Sequence, residues 1–184
     1  MLVSLLTLVV AAPAQWPAHL PLRATPPRVA VSTRRIGDAE ILGTIGTFDA
    51  NGAEAAKLAS TKAQSQEVRD YAKSILTDHQ HSQQSGLRLA KQLRIAPVLP
   101  SDSSITRDHK TEMDQLNLIS AAEFDKAFVQ YMVADHKMMV NRIDTSLLPA
   151  TSNAQLKTFM RNLRPSFMMH ETQGQAWLDK QAKK

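Results

Sequence analysis

Beyond the first fifth of the chain, apolar and small residues recur every three or four positions in long runs. Four of these runs cover about residues 38–62, 66–94, 121–147 and 153–181. This spacing matches the 3.6-residue period of an α-helix with one buried face, and we find no sustained two-residue alternation of a β-strand. A shorter run at about 104–118 predicts one more helix.

The ends of the runs carry helix-stop and helix-start signals. The prolines of "IAPVLPS" end the second run, and Pro149 ends the third. Ser120 with Glu123, and Ser152 with Gln155, have the spacing of a capping box. Long amphipathic helices joined by short linkers bury their apolar faces best against one another. We therefore predict an all-α antiparallel four-helix bundle, with a short extra helix between the second and third long helices.

The first residues differ from the rest of the chain. "MLVSLLTLVVAAPAQ" has an apolar run followed by the triplet Ala-Pro-Ala, the pattern of a secretory signal peptide and too short to span a bilayer. We predict a signal peptide at 1–14, a Pro/Arg-rich flexible leader at 15–37 and a bundle domain at 38–184. This organisation predicts a periplasmic or secreted protein of the bacterial envelope, without a transmembrane anchor in the mature chain.

Charge and composition exclude several classes of function. The net charge is +5, but residues 1–37 hold four arginines and no acid, so the remaining 18 basic and 17 acidic residues leave only +1. Aromatic residues are few and do not alternate with basic clusters, which argues against nucleic acid as a partner. The absence of cysteine excludes disulfides and thiolate metal sites. The chain also lacks a Gly-rich phosphate loop, a G-x-S-x-G elbow and an H-E-x-x-H motif.

Histidine is the residue type that suggests a site. His79, His136 and His170 each continue the apolar stripe of a different long helix, so all three are predicted to point into the core. Three imidazoles in an apolar core suit one transition metal ion such as copper, zinc or iron. Asp78 and Asp135 directly precede two of these histidines. Each could orient a metal-bound imidazole from a neighbouring helix or form an ordinary interhelical salt bridge.

Methionine adds a second signal. Six of the seven methionines after the start lie in the last two long helices, in "HKMM" and "MMH" beside a histidine. Thioether sulfur with imidazole favours Cu(I), so Met139 or Met169 are candidate additional ligands. The alternative is that these methionines only fill the core.

Three stretches of the chain resemble a known family: "GAEAAKLASTKAQSQEVRDYAKSILTDHQHS", "ISAAEFDKAFVQYMVADHKMMV" and "NAQLKTFMRNLRPSFMMHE". They are similar, in order and spacing, to the bacterial domain of unknown function 4142, over roughly residues 45–175. The resemblance implies an exported, ferritin-like helical bundle. It places the recurrent histidines of the family on His79, His136 and His170, and its Arg-Pro pair on Arg164-Pro165.

The chain departs from that family in the first helix. A glutamate often found there corresponds to Gly52, with Glu54 two residues later and Asp49 three residues earlier. Glu54 lies off the inward stripe, which puts a carboxylate ligand from this helix in doubt and leaves Glu54 only a candidate. The chain also has no Glu-x-x-His motif, the signature of ferritin-like di-iron sites.

These observations favour a binding protein over an enzyme. The leading hypothesis is an exported bundle that binds one transition metal ion through His79, His136 and His170, in envelope metal handling or stress protection. The alternative is a metal-free structural or protein-interaction bundle with hydrogen-bonded core histidines. A redox or hydrolytic metalloenzyme is a third reading. The sequence determines neither the metal nor the oligomeric state.

Overall fold

The computed structural model describes residues 36–100 and 104–183, and these residues form helices without a strand. The helices are α1 (Asp38–Lys62), α2 (Gln66–Leu93), α3 (Ser104–Leu118), α4 (Ala121–Arg142), a π-helical turn (Ile143–Leu147), α5 (Leu148–Ala150) and α6 (Ala154–Gln181). The predicted all-α class and the short extra helix are confirmed. The predicted signal peptide and nearly all of the leader lie outside the described residues.

Contacts at the helix ends define the topology. Thr151, after α5, donates a hydrogen bond to Asp38 at the start of α1, whereas Lys62 at the end of α1 lies 5.2 Å from the ring of Phe124 at the start of α4. α1 and α4 are therefore antiparallel. Lys180 near the end of α6 pairs with Glu67 at the start of α2, so α2 and α6 are antiparallel as well.

α1 and α2 are joined by three residues, and the start of α1 packs in one cluster with the end of α2, so these two helices are antiparallel too. α2 and α4 therefore point the same way, and the chain must cross the length of the bundle between them. The segment that contains α3 makes this crossing. One long crossover of this kind is the connectivity of ferritin-like bundles.

The apolar core is divided into two clusters. One is built around Phe124 and Phe128, and the other around Ile41, Phe48 and Met139. On α4 the stripe passes from the first cluster through His136 into the second. The three histidines thus form a polar layer between two apolar clusters.

Two helix starts differ from the capping-box prediction. The Ser120 hydroxyl donates a hydrogen bond to the Glu123 carboxylate at 2.7 Å, but its side chain makes no hydrogen bond to the helix backbone. α6 is capped by Asn153, not Ser152, because the Asn153 side chain accepts hydrogen bonds from the amides of Gln155 and Leu156.

The segment after α2 lies across the first turns of α1. The amide of Val98 donates to the carbonyl of Ala39 at 3.0 Å, and Gly43 leaves room for the Val98 backbone, since a Cβ there would lie 1.6 Å from the Val98 oxygen. We call residues 95–100 the strap. Within the described residues, no helix is long and apolar enough to cross a membrane.

Candidate metal centre

The three stripe histidines meet in one buried layer. His79 on α2, His136 on α4 and His170 on α6 are at most 1% exposed. Their ring centroids are 5.3 Å apart for His79 and His136, 5.2 Å for His136 and His170, and 6.4 Å for His79 and His170. Helical periodicity placed each ring on the inward face of its own helix, and the bundle brings the three faces to one level.

His79 and His136 point their Nε2 atoms at each other, 3.2 Å apart. The opposite nitrogen of each ring is held by oxygen: His79 Nδ1 lies 2.9 Å from Asp49 Oδ1, and His136 Nδ1 lies 2.7 Å from the carbonyl oxygen of Met132. A carbonyl only accepts, so His136 Nδ1 carries the proton. With Asp49 as a carboxylate, the same holds for His79 Nδ1.

Two neutral imidazoles in these tautomers present two bare lone pairs to each other. That contact is unfavourable unless a cation or a proton lies between the nitrogens. At a metal–nitrogen bond of about 2.0–2.1 Å, a separation of 3.2 Å corresponds to an N–metal–N angle of about 100°, close to tetrahedral. The pair therefore has the spacing of two ligands of one metal ion.

His170 supplies the polar atoms that need a partner. Both of its ring nitrogens are buried, and neither makes a hydrogen bond to any described residue. Nε2 forms an ion-pair contact with Asp78 Oδ2 at 3.0 Å, whereas Nδ1 has no such contact. Its backbone is held separately, because the Tyr71 hydroxyl donates to the His170 carbonyl at 2.8 Å. A buried imidazole without hydrogen bonds is energetically costly, and His170 is the member of the layer in this position.

The walls of the layer are apolar. Phe48 and Phe167 both lie within 6 Å of the His79 and His136 rings, centroid to centroid. Burial lowers the pKa of His136 well below its ordinary value, and the nearby His79 and His170 lower it further. Burial also lowers the pKa of His170 to about 4, against the opposing effect of Asp78. His136 and His170 are therefore neutral at pH 7, the form that binds metal.

Asp49 is the residue that the sequence analysis did not select. It is buried on α1, accepts from His79 through Oδ1, and accepts from the Ser82 hydroxyl through Oδ2 at 2.5 Å. Burial raises the pKa of Asp49, while the hydrogen bonds from His79 and Ser82 act in the opposite direction. The available signal was its position on the inward face, one turn before Gly52.

The other predicted candidates lie in different places. Asp78 approaches His170 and accepts from Ser166 at 3.1 Å. Asp135 and Glu54 contact none of the three histidines in the hydrogen bonds and ion pairs of the described residues; Glu54 pairs instead with His109. Met139 is buried in the cluster that holds Phe48, whereas Met169 is 40% exposed. No group of three or more His, Cys, Asp or Glu side chains in the described segments is already arranged to hold a metal ion.

Comparisons with known proteins agree with this architecture. The model of a family described as "Domain of unknown function (DUF4142)" matches residues 23–177. The chain belongs to the DUF4142 family. No curated protein matches. The crystal structure of a DUF305 fragment from Deinococcus radiodurans is similar, with a TM-score of 0.68 and 14% identity over 79% of this chain and 98% of that one. At that identity, the likeness concerns the fold alone.

Gly52 stands where we expected a glutamate of the DUF4142 family. The absence of a side chain at this position lets the His79 ring pack directly against α1. A Cβ on Gly52 would lie 2.5 Å from His79 Nε2, so the imidazole occupies the space that a side chain would need. α1 instead contributes Asp49, which touches His79 from the Nδ1 side.

Proposed function

We propose that this DUF4142 protein binds one transition metal ion between His79, His136 and His170 without catalysing a reaction. The observation that carries the proposal is the 3.2 Å approach of two Nε2 atoms whose opposite nitrogens donate to oxygen acceptors. Asp49, His79 and the ion would form the carboxylate–histidine–metal arrangement common at protein metal sites. His170, whose two ring nitrogens make no hydrogen bond, would turn one of them toward the ion as the third ligand.

The donor set limits the choice of metal. Imidazole nitrogens in a buried, apolar layer suit copper, zinc or iron in preference to the hard cations magnesium and calcium. Met139 follows His136 on the same helix and is fully buried, so its thioether is the candidate fourth donor for Cu(I). Sequestration of an ion away from solvent fits a role in envelope metal handling or stress protection.

A second function uses the same geometry with a proton in place of the metal. If His79 carries protons on both nitrogens, its Nε2 donates to His136 Nε2 and its charge is balanced by Asp49. Among the described residues, no group of three His, Cys, Asp or Glu side chains is arranged to hold a metal ion, and this favours the second function. The protein would then be a metal-free structural or interaction bundle whose core histidines are hydrogen-bonded.

Metal titration separates the two functions. We would measure the affinity of metal-free protein for Cu(I), Cu(II), Zn(II) and Fe(II), beside the triple variant His79→Ala/His136→Ala/His170→Ala. The single variant His81→Ala is the matched control, because His81 is exposed and two residues from His79. Binding of one ion by the wild type and by His81→Ala, but not by the triple variant, is the expected result.

Equal and weak binding by all three proteins would refute the metal site. Circular dichroism shows whether the triple variant folds. If it does not, His170→Gln tests the same point, because it removes one ligand and leaves the hydrogen-bonded pair of His79 and His136 in place. We expect it to weaken binding, and an unchanged affinity would exclude His170 as a ligand.

A further inference from the structure

A second polar cluster links side chains of three helices and is separate from the three-histidine layer. His109 on α3 is buried and uses both ring nitrogens: Nδ1 lies 2.7 Å from the hydroxyl of Tyr131 on α4, and Nε2 lies 3.1 Å from a carboxylate oxygen of Glu54 on α1. Tyr131 is largely buried, whereas the Glu54 side chain is 65% exposed. The three side chains therefore form a continuous hydrogen-bonded chain from a phenol inside the bundle to solvent.

The direction of each hydrogen bond follows from the groups involved. A carboxylate only accepts, so His109 Nε2 carries a proton and donates it to Glu54. In this tautomer Nδ1 is bare and accepts from the Tyr131 hydroxyl. The phenolic proton thus points at a base that has a second proton to pass on.

This arrangement has a consequence for oxidation. A phenol that loses one electron becomes a strong acid and must release its proton at once, so a base already in contact lowers the barrier. We propose that Tyr131 is a redox-active tyrosine, which gives one electron to a one-electron oxidant and its phenolic proton to His109. The proposal does not depend on metal binding.

The O–H bond of Tyr131 breaks, the electron goes to the oxidant, and the proton forms a new N–H bond at His109 Nδ1. The products are a neutral tyrosyl radical, a reduced oxidant and an imidazolium that faces the Glu54 carboxylate. The oxidant belongs to the class of free radicals and high-potential metal complexes, and one electron from a reductant reverses the step.

The surrounding charges favour this coupled step over simple loss of a proton. Burial raises the pKa of Tyr131, and Asp135 in its ionised form, Glu112 and Glu54 raise it further. Burial raises the pKa of Asp135 itself to about 7, so Asp135 is partly ionised at neutral pH. The phenol therefore keeps its proton at neutral pH. The same carboxylates favour removal of an electron, because they stabilise the positive charge that oxidation places on the cluster.

Tyr71 is the natural comparison, because the chain has two tyrosines. Its hydroxyl donates to the carbonyl oxygen of His170, and a backbone carbonyl is not a base that can take the proton. Burial raises the pKa of Tyr71 as well. The two phenols thus share burial and differ in the acceptor.

The test is photochemical oxidation of the metal-free protein. A ruthenium tris-bipyridine complex, excited in the presence of an irreversible electron acceptor, supplies the one-electron oxidant, and electron paramagnetic resonance detects the tyrosyl radical. We expect the radical in the wild type and in Tyr71→Phe, and its loss in Tyr131→Phe. In His109→Gln, we expect radical formation after a laser flash to slow by about 100-fold, the lower end of what a positioned base contributes.

A radical that persists in Tyr131→Phe and disappears in Tyr71→Phe would overturn the proposal. So would an unchanged rate in His109→Gln, or a wild-type rate that is the same in D₂O and H₂O, because either result separates the electron from the proton. Thermal unfolding of each variant shows whether it is folded. The same flash experiment on Glu54→Gln keeps the test decisive if His109→Gln does not fold, and there we expect a slower rate than in the wild type.

Discussion

At the scale of single residues, the oxygen acceptors beside the imidazoles decide what the histidines can do. The Met132 carbonyl and the Asp49 carboxylate each accept a hydrogen bond from one Nδ1, and this leaves two Nε2 lone pairs in contact. The sequence indicated that these histidines point inward, since each continues an apolar stripe. It did not indicate the tautomers, because a tautomer depends on an acceptor that in the case of His79 lies on another helix.

Replacing Asp49 with Asn tests the role of that acceptor. We expect metal affinity to weaken by about 10–100-fold, because the neutral amide orients His79 less firmly and no longer raises its basicity. Isothermal titration of the wild type, Asp49→Asn and Asp70→Asn measures the effect. Asp70 is exposed on α2, so its variant should bind like the wild type. Equal affinities in all three would show that Asp49 does not support the ligand.

Gly52 gives a prediction about packing. Gly52→Ala should lower the free energy of unfolding by about 1–3 kcal/mol, because the new Cβ overlaps the His79 ring and forces it to move. Gly46→Ala on the same helix meets no heavy atom within 4 Å and should raise that free energy by about 0.5–1 kcal/mol through helix propensity. Urea unfolding measures both. A shift in the same direction for the two variants would contradict the packing argument.

At the scale of elements, the 3.6-residue period predicted every long helix, and the bounds agree to within a few residues. The π-helical turn at Ile143–Leu147 was not predicted, because Ile143 and Leu147 are both buried and continue the stripe at ordinary spacing. The N-cap of α6 was predicted at Ser152 and lies one residue later, at Asn153, because two neighbouring residues both have capping side chains. Pattern alone does not choose between them.

The strap also provides a test at this scale. Gly43→Ala should displace residues 95–100 from α1, since the Cβ would overlap the Val98 carbonyl and the bond from the Val98 amide to Ala39 would break. We expect faster hydrogen exchange at the Val98 amide and faster proteolysis within the strap. Gly46→Ala is again the control. Unchanged exchange at Val98 would show that the strap is not held by this contact.

At the scale of the whole molecule, metal binding and folding should be linked. An ion that binds the folded chain at 100 times its Kd adds about 2.7 kcal/mol of stability, which corresponds to a rise in Tm of roughly 5–10 °C for a chain of this size. Differential scanning calorimetry with and without each metal measures the rise. The triple histidine variant should show none, and an unchanged wild-type Tm at saturating metal would argue for the metal-free bundle.

The sequence by itself determined the fold class, the helices and the inward face of His79, His136 and His170. These properties are local, because the positions of the apolar residues within one helix already determine which of its faces is buried. The sequence also carried the resemblance to the DUF4142 family, which the family match confirms.

Only the tertiary structure decided which side chains meet. The contact of His79 with Asp49 and His136, and the chain from Glu54 through His109 to Tyr131, depend on the register and rotation of helices that lie far apart in sequence. Periodicity defines a face within each helix, whereas side-chain packing between helices sets their relative height. Glu54 and Asp49 differ by five positions on α1, and the packing assigned them to two different clusters.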